Sequence, residues 1–157
     1  MQEALDDLEL SVIRIPERYP AETVVLQSKK ATAANSTKPY CVTFPHGGPH
    51  HVSTTAFQPL VTALGLEGCT SLPPVNDLAV VSYLVYADTI SMPNYTGSVG
   101  FGDKYIQKLI GQVGTLDIAD CIATVEELIK RGISDRERQL VFGGSHGGFI
   151  TGNRKPF

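Results

Sequence analysis

Apolar residues fall into short β-branched runs and longer helical periods, separated by turns rich in glycine and proline. Thr23-Val24-Val25-Leu26 predicts one strand, and Tyr40-Cys41-Val42-Thr43-Phe44 predicts another, closed by Pro45 and two glycines. Residues 27–38 between them are polar and read as a surface loop. Phe57, Leu60, Val61 and Leu64 recur at i, i+3, i+4 and i+7. A helix is therefore expected from a cap at Thr54 or Thr55 to about Leu66. Residues 79–85 read as a buried strand. The strongest helical period covers residues 116–131, where Ile118, Ile122, Val125 and Ile129 share a face. Lys130 and Arg131 complement its C-terminal dipole, and Gly132 ends it. Residues 139–142 form a last short strand that runs straight into glycine-rich sequence. Strands alternating with helices predict an α/β fold built on a parallel sheet.

Composition narrows the class. With 157 residues, 42% of them hydrophobic, the chain can build the core of one domain or part of one. A net charge of −3 gives no general attraction to phosphate backbones or anionic lipid, so neither nucleic acid nor membrane is expected as a partner. Residues 1–10 hold four carboxylates and no basic residue, unlike the start of a signal peptide. The longest apolar stretch, residues 79–87, is too short to span a bilayer as a helix. A cytoplasmic location follows as the expectation. Residues 1–21, acidic and ending in Pro16 and Pro20, read as an entry segment. Cys41, Cys69 and Cys121 leave one thiol over in any disulfide scheme, and no CxxC pair exists. Cys121 lies within the 116–131 helix, where packing is its expected role.

Three segments carry candidate chemistry. Gly143-Gly144-Ser145-His146-Gly147 matches G-x-S-x-G, in which a serine sits on a strained strand-to-helix turn and small flanking residues avoid collision. A β-type run ends just before it, and a helix is expected to begin at His146. Pro45-His46-Gly47-Gly48-Pro49-His50 follows a predicted strand, where a glycine loop can offer a backbone N–H to a developing oxyanion. No metal site is expected from His46, His50 and His51. Gly47-Gly48-Pro49 forbids the helix that would align them, and no carboxylate lies between Glu22 and Glu67. The third segment, Gly97-Ser98-Val99-Gly100-Phe101-Gly102, has its glycines in the wrong order for a dinucleotide fingerprint, and no helix is expected at its third glycine. No cofactor is expected.

The Pro45–His50 loop, then Asn94-Tyr95-Thr96-Gly97-Ser98-Val99-Gly100-Phe101-Gly102, then Gly143-Gly144-Ser145-His146-Gly147-Gly148-Phe149 resemble the prolyl oligopeptidase family in order and spacing. Within it they are most similar to the acylaminoacyl-peptidase branch. Gly111-Gln112-Val113-Gly114, before the helix with Asp117 and Asp120, agrees as well, so the resemblance spans residues 22–151. It implies the N-terminal part of an α/β-hydrolase fold, mostly parallel with flanking helices, and a serine peptidase that releases an N-acylated residue from blocked peptides. It also implies Ser145 as nucleophile, backbone N–H groups of Gly48 and His146 as the oxyanion hole, and His46, Gly47 and Tyr95 at the substrate. A homo-oligomer is a known option for full-length members.

The chain departs from the pattern at several points. Thr96 stands where the family has an arginine. Residues 87–93 intervene between the expected strand and Asn94, and residues 67–78 with Pro73-Pro74 look foreign. The family's triad Asp and His follow the serine, whereas only 12 residues follow Ser145 and none is Asp or Glu. Residues 151–157 do not read as a continuing helix, and residues 152–157 are expected to be a divergent tail. The family's N-terminal propeller has no counterpart. An incomplete product, inactive alone, is therefore expected. The alternatives are a silent fragment that acts only by binding, or a dipeptidyl-peptidase or esterase of the same superfamily.

Overall fold

Five strands join into one sheet in the computed structural model, which describes residues 6–29, 40–56, 58–59, 61–62 and 87–153. In chain order they are β1 (Leu8–Arg14), β2 (Glu22–Ser28), β3 (Tyr40–Thr43), β4 (Ala87–Asn94) and β5 (Gln139–Val141). In space the order is β1-β2-β4-β3-β5. β3 runs parallel to β4 and β5, whereas β2 is antiparallel to both β1 and β4. The sheet is thus mixed. Its parallel half is the one that alternating strands and helices predict, and its antiparallel half comes from the first 28 residues, with the acidic entry segment supplying β1.

Period-two alternation explains why β2 sits between two layers. Val24 and Leu26 face one side with Val42, Ile90, Met92 and Val61. Val25 faces the other side with Ile13, Cys41 and Leu128. Among the described residues, the helices with full bounds are α1 (Asp103–Gln107), α2 (Leu116–Lys130) and α3 (His146–Asn153). α2 ends as its sequence predicts. Gly132 takes φ +73, its N–H reaches the Ile129 carbonyl, and the Ile133 N–H reaches that of Leu128. That pair of bonds is a Schellman closure, and a left-handed glycine makes it cheap.

Four sequence expectations need correction. Residues 87–93 are not an insertion: they are β4 itself, the strand that leads directly into Asn94. Gln27 and Ser28 belong to β2 rather than to a loop. Thr151, Gly152 and Asn153 do continue the last helix, with the Thr151 hydroxyl bonded to the Gly147 carbonyl. A short helix, α1, does begin directly after Gly102, although the glycine order still fails the dinucleotide pattern. The strand expected at 79–85 and the foreign stretch at 67–78 lie outside the described residues. So does most of the helix expected to reach Leu66. Within the part described, Pro59, Val61 and Thr62 are helical. No helix among the described residues is long and apolar enough to cross a membrane.

Candidate active site

The turn between β5 and α3 holds Ser145 at φ +54, the one non-glycine residue with positive φ among the described residues. A side chain in this region costs free energy that only surrounding structure can hold in place. The glycines on either side show how. A Cβ on Gly143 would lie 2.6 Å from the backbone of Gly147, and one on Gly147 would run into the Pro45 carbonyl oxygen. Both flanking glycines of G-x-S-x-G are thus fixed by backbone-to-backbone packing. Ser145 itself is exposed at the top of the turn.

The His46-Gly47-Gly48 loop lies directly against this elbow. A Cβ on Gly47 would stand 3.5 Å from the Ser145 Cβ and 3.3 Å from the Gly144 carbonyl oxygen. Gly48 takes φ +49 and faces open space. His46 is buried beneath the loop, with Nε2 2.9 Å from the Ser98 hydroxyl. Its ring stacks on Tyr95 at 4.4 Å between centroids. Burial pushes the His46 imidazole down to about 4, with His51 and His146 adding to the effect, so the ring is neutral at pH 7. The Tyr95 hydroxyl donates to the His46 carbonyl at 2.8 Å and is fully buried, which raises its pKa. Tyr95 therefore supports the glycine loop from below.

His146, the residue after the serine, points its ring back into the fold. Its Nε2 donates to Asp117 Oδ2 at 2.8 Å, and its ring stacks on Phe149 at 5.6 Å. Asp117 is fully buried in the first turn of α2, where Oδ1 also accepts the N–H groups of Gly114 at 2.8 Å and Ile118 at 3.0 Å. One turn further on, Asp120 Oδ2 accepts both the N–H and the hydroxyl of Thr96, each at 2.6 Å, and Oδ1 accepts Arg18 Nε. A guanidinium is thus present at Asp120, delivered from residue 18 rather than from position 96. Asn94 pins the segment after His51, accepting the Ser53 N–H at 2.7 Å and donating to its carbonyl at 2.9 Å.

The structure thus brings Ser145, His146, His46, Gly47, Gly48 and Tyr95 into one region. The supporting carboxylates Asp117 and Asp120, with Arg18, were invisible as partners in the sequence. Cys41 and Cys121 are buried free thiols with raised pKa values, Cys41 at about 12. Burial is the main cause in both, which suits packing and not nucleophilic chemistry.

Comparison with known proteins bears on the family and the fold. A family model described as the prolyl oligopeptidase family matches residues 80–153. The acylamino-acid-releasing enzyme of Arabidopsis thaliana is 31% identical over 94% of this chain. The chain belongs to the prolyl oligopeptidase family. It spans 18% of the length of the Arabidopsis protein, so it corresponds to a small part of such a relative. A Mycobacterium tuberculosis puromycin-hydrolyzing peptidase superposes with a TM-score of 0.68 at 26% identity, over 93% of this chain and 20% of that one. An acylaminoacyl peptidase of Pyrococcus horikoshii superposes with a TM-score of 0.71 over 96% of this chain and 21% of its own, at 19% identity. That likeness concerns the fold. The mixed sheet and its flanking helices are part of the α/β-hydrolase architecture of this family.

Proposed function

We propose that this chain carries the nucleophile and oxyanion side of a serine peptidase that releases an N-acylated amino acid from a blocked peptide. The observation that carries the reading is Ser145, held at φ +54 between β5 and α3 and facing the His46-Gly47-Gly48 loop. The Ser145 hydroxyl would attack the scissile carbonyl and form the acyl-enzyme. The N–H groups of Gly48 and His146 would receive the oxyanion, each contributing about 10²–10³ in turnover. Gly47 would leave room for the substrate backbone, while His46 and Tyr95, both buried, would act from beneath the loop by holding its shape and would not touch substrate. The acyl-residue specificity rests on similarity to acylamino-acid-releasing enzymes.

Attack also needs a base. His146 is engaged by Asp117 and His46 by Ser98, so neither is held against the serine hydroxyl. By itself the chain is therefore expected to turn over far more slowly than its relatives. The test uses two matched peptides that differ only in N-acetylation, assayed with the full-length protein and its Ser145→Ala variant. Cleavage of the acetylated peptide alone, lost on substitution, is expected. Equal cleavage of both peptides would favour a dipeptidyl-peptidase or esterase, and full activity in Ser145→Ala would remove the nucleophile assignment.

A further inference from the structure

The residue after the nucleophile has two duties that pull on different atoms. Its backbone N–H must stay free and aimed outward, while its side chain must go somewhere. His146 is the first residue of α3, so its N–H has no acceptor within the helix. The first helical bond runs from the Phe149 N–H to the Ser145 carbonyl and leaves the 145–146 peptide at the very tip. A helix end of this kind frays unless something fastens it. The imidazole supplies the fastening, through Nε2 to Asp117 Oδ2 and by stacking on Phe149. The other end of that contact is rigid. Asp117 has no solvent exposure, and its second oxygen is held by two backbone N–H groups at the start of α2. A buried carboxylate with three donors keeps a single orientation.

We propose that Asp117 is a positioning residue for the nucleophile elbow: by gripping the His146 imidazole it sets the direction of the His146 backbone N–H. This rests on the peptidase reading for its catalytic meaning, though not for its geometry. It also gives His146 a reason to be a hydrogen-bonding residue, since the backbone N–H alone would tolerate many side chains. Asp117 touches no reacting atom and acts only through its neighbour.

The test separates geometry from catalysis. In the full chain labelled with ¹⁵N, Asp117→Asn keeps a carbonyl oxygen for the Gly114 and Ile118 amides but replaces the acceptor facing His146. The amide of residue 146 is expected to lose order, its order parameter falling from about 0.85 to below about 0.6, while those of 114 and 118 stay rigid. His146→Phe, which keeps the stacking ring and deletes the bond, should produce the same change, and Asp117→Asn should add nothing on top of it. An unchanged 146 amide in both variants overturns the proposal. If Asp117→Asn does not fold, His146→Phe decides alone by the same readout. In the full-length protein, Asp117→Asn should lower kcat on the acetylated peptide about tenfold to a hundredfold with KM nearly constant. Failure of the wild type to label with a fluorophosphonate would count against the peptidase reading. The amide measurement would still decide the role of Asp117.

Discussion

Ser145 shows how much a single backbone angle demands of its surroundings. Replacing it with glycine relieves a left-handed side chain, and replacing it with alanine does not. Ser145→Gly should therefore be about 1 kcal/mol more stable than Ser145→Ala in urea unfolding, with both inactive. Gly147→Ala should cost about 3 kcal/mol, because its methyl meets the Pro45 carbonyl rather than a side chain that could move. His46 links the site to pH. The folded state holds its imidazole at about 4, against 6.5 for the free side chain, so between those values the unfolded chain binds the extra proton. Stability should fall as pH drops through that window, by up to about 3 kcal/mol, and urea midpoints at pH 7.5, 5.5 and 4.5 would read it. His46→Gln should flatten the slope. Of these residues, Ser145 and its glycines were legible because the motif states its own steric requirement. The Asp117–His146 and Arg18–Asp120 contacts were not, since partners 29 and 102 positions apart leave no local pattern.

Elements were readable where one period dominates. α2 combines an apolar face, a basic last turn and a closing glycine, and each signal points the same way. Gly132→Ala should destabilise by about 1 kcal/mol, visible as a lower melting temperature, because alanine resists φ +73. β4 was missed for a physical reason. Its buried positions include Thr89 and Ser91, whose polarity mimics a loop. The Ser91 hydroxyl instead finds Thr23 on β2 at 2.8 Å, which makes burial affordable. Pro93 also lies within this strand. It lies beyond the end of β3, which stops at Thr43 opposite Ser91, so its missing N–H has no partner on that side. β1 was hidden by charge: Glu9 pairs with Gln27 in a strand whose acidity read as an entry segment.

At the scale of the molecule, β1 and β5 are the outer strands of the described sheet, and Leu10 and Val12 are 44% and 48% exposed. Outer strands with apolar side chains invite pairing with other chains. The 157-residue chain in isolation should run as oligomers rather than as a 16.9 kDa species in light scattering after gel filtration. The contact of Gly147 with the Pro45 carbonyl has a consequence in time. On a ribosome, β1, β2 and the loop at Pro45 emerge before the Ser145 turn, and about 100 residues must follow Pro45 before Gly147 can close against that loop. At ordinary rates of synthesis the delay is about 5–20 seconds. Throughout it, the Pro45 loop exists without the turn that closes on it. The loop that receives Gly147 is therefore always made before the turn that carries Ser145, and closure of the elbow is a late event in the making of this chain.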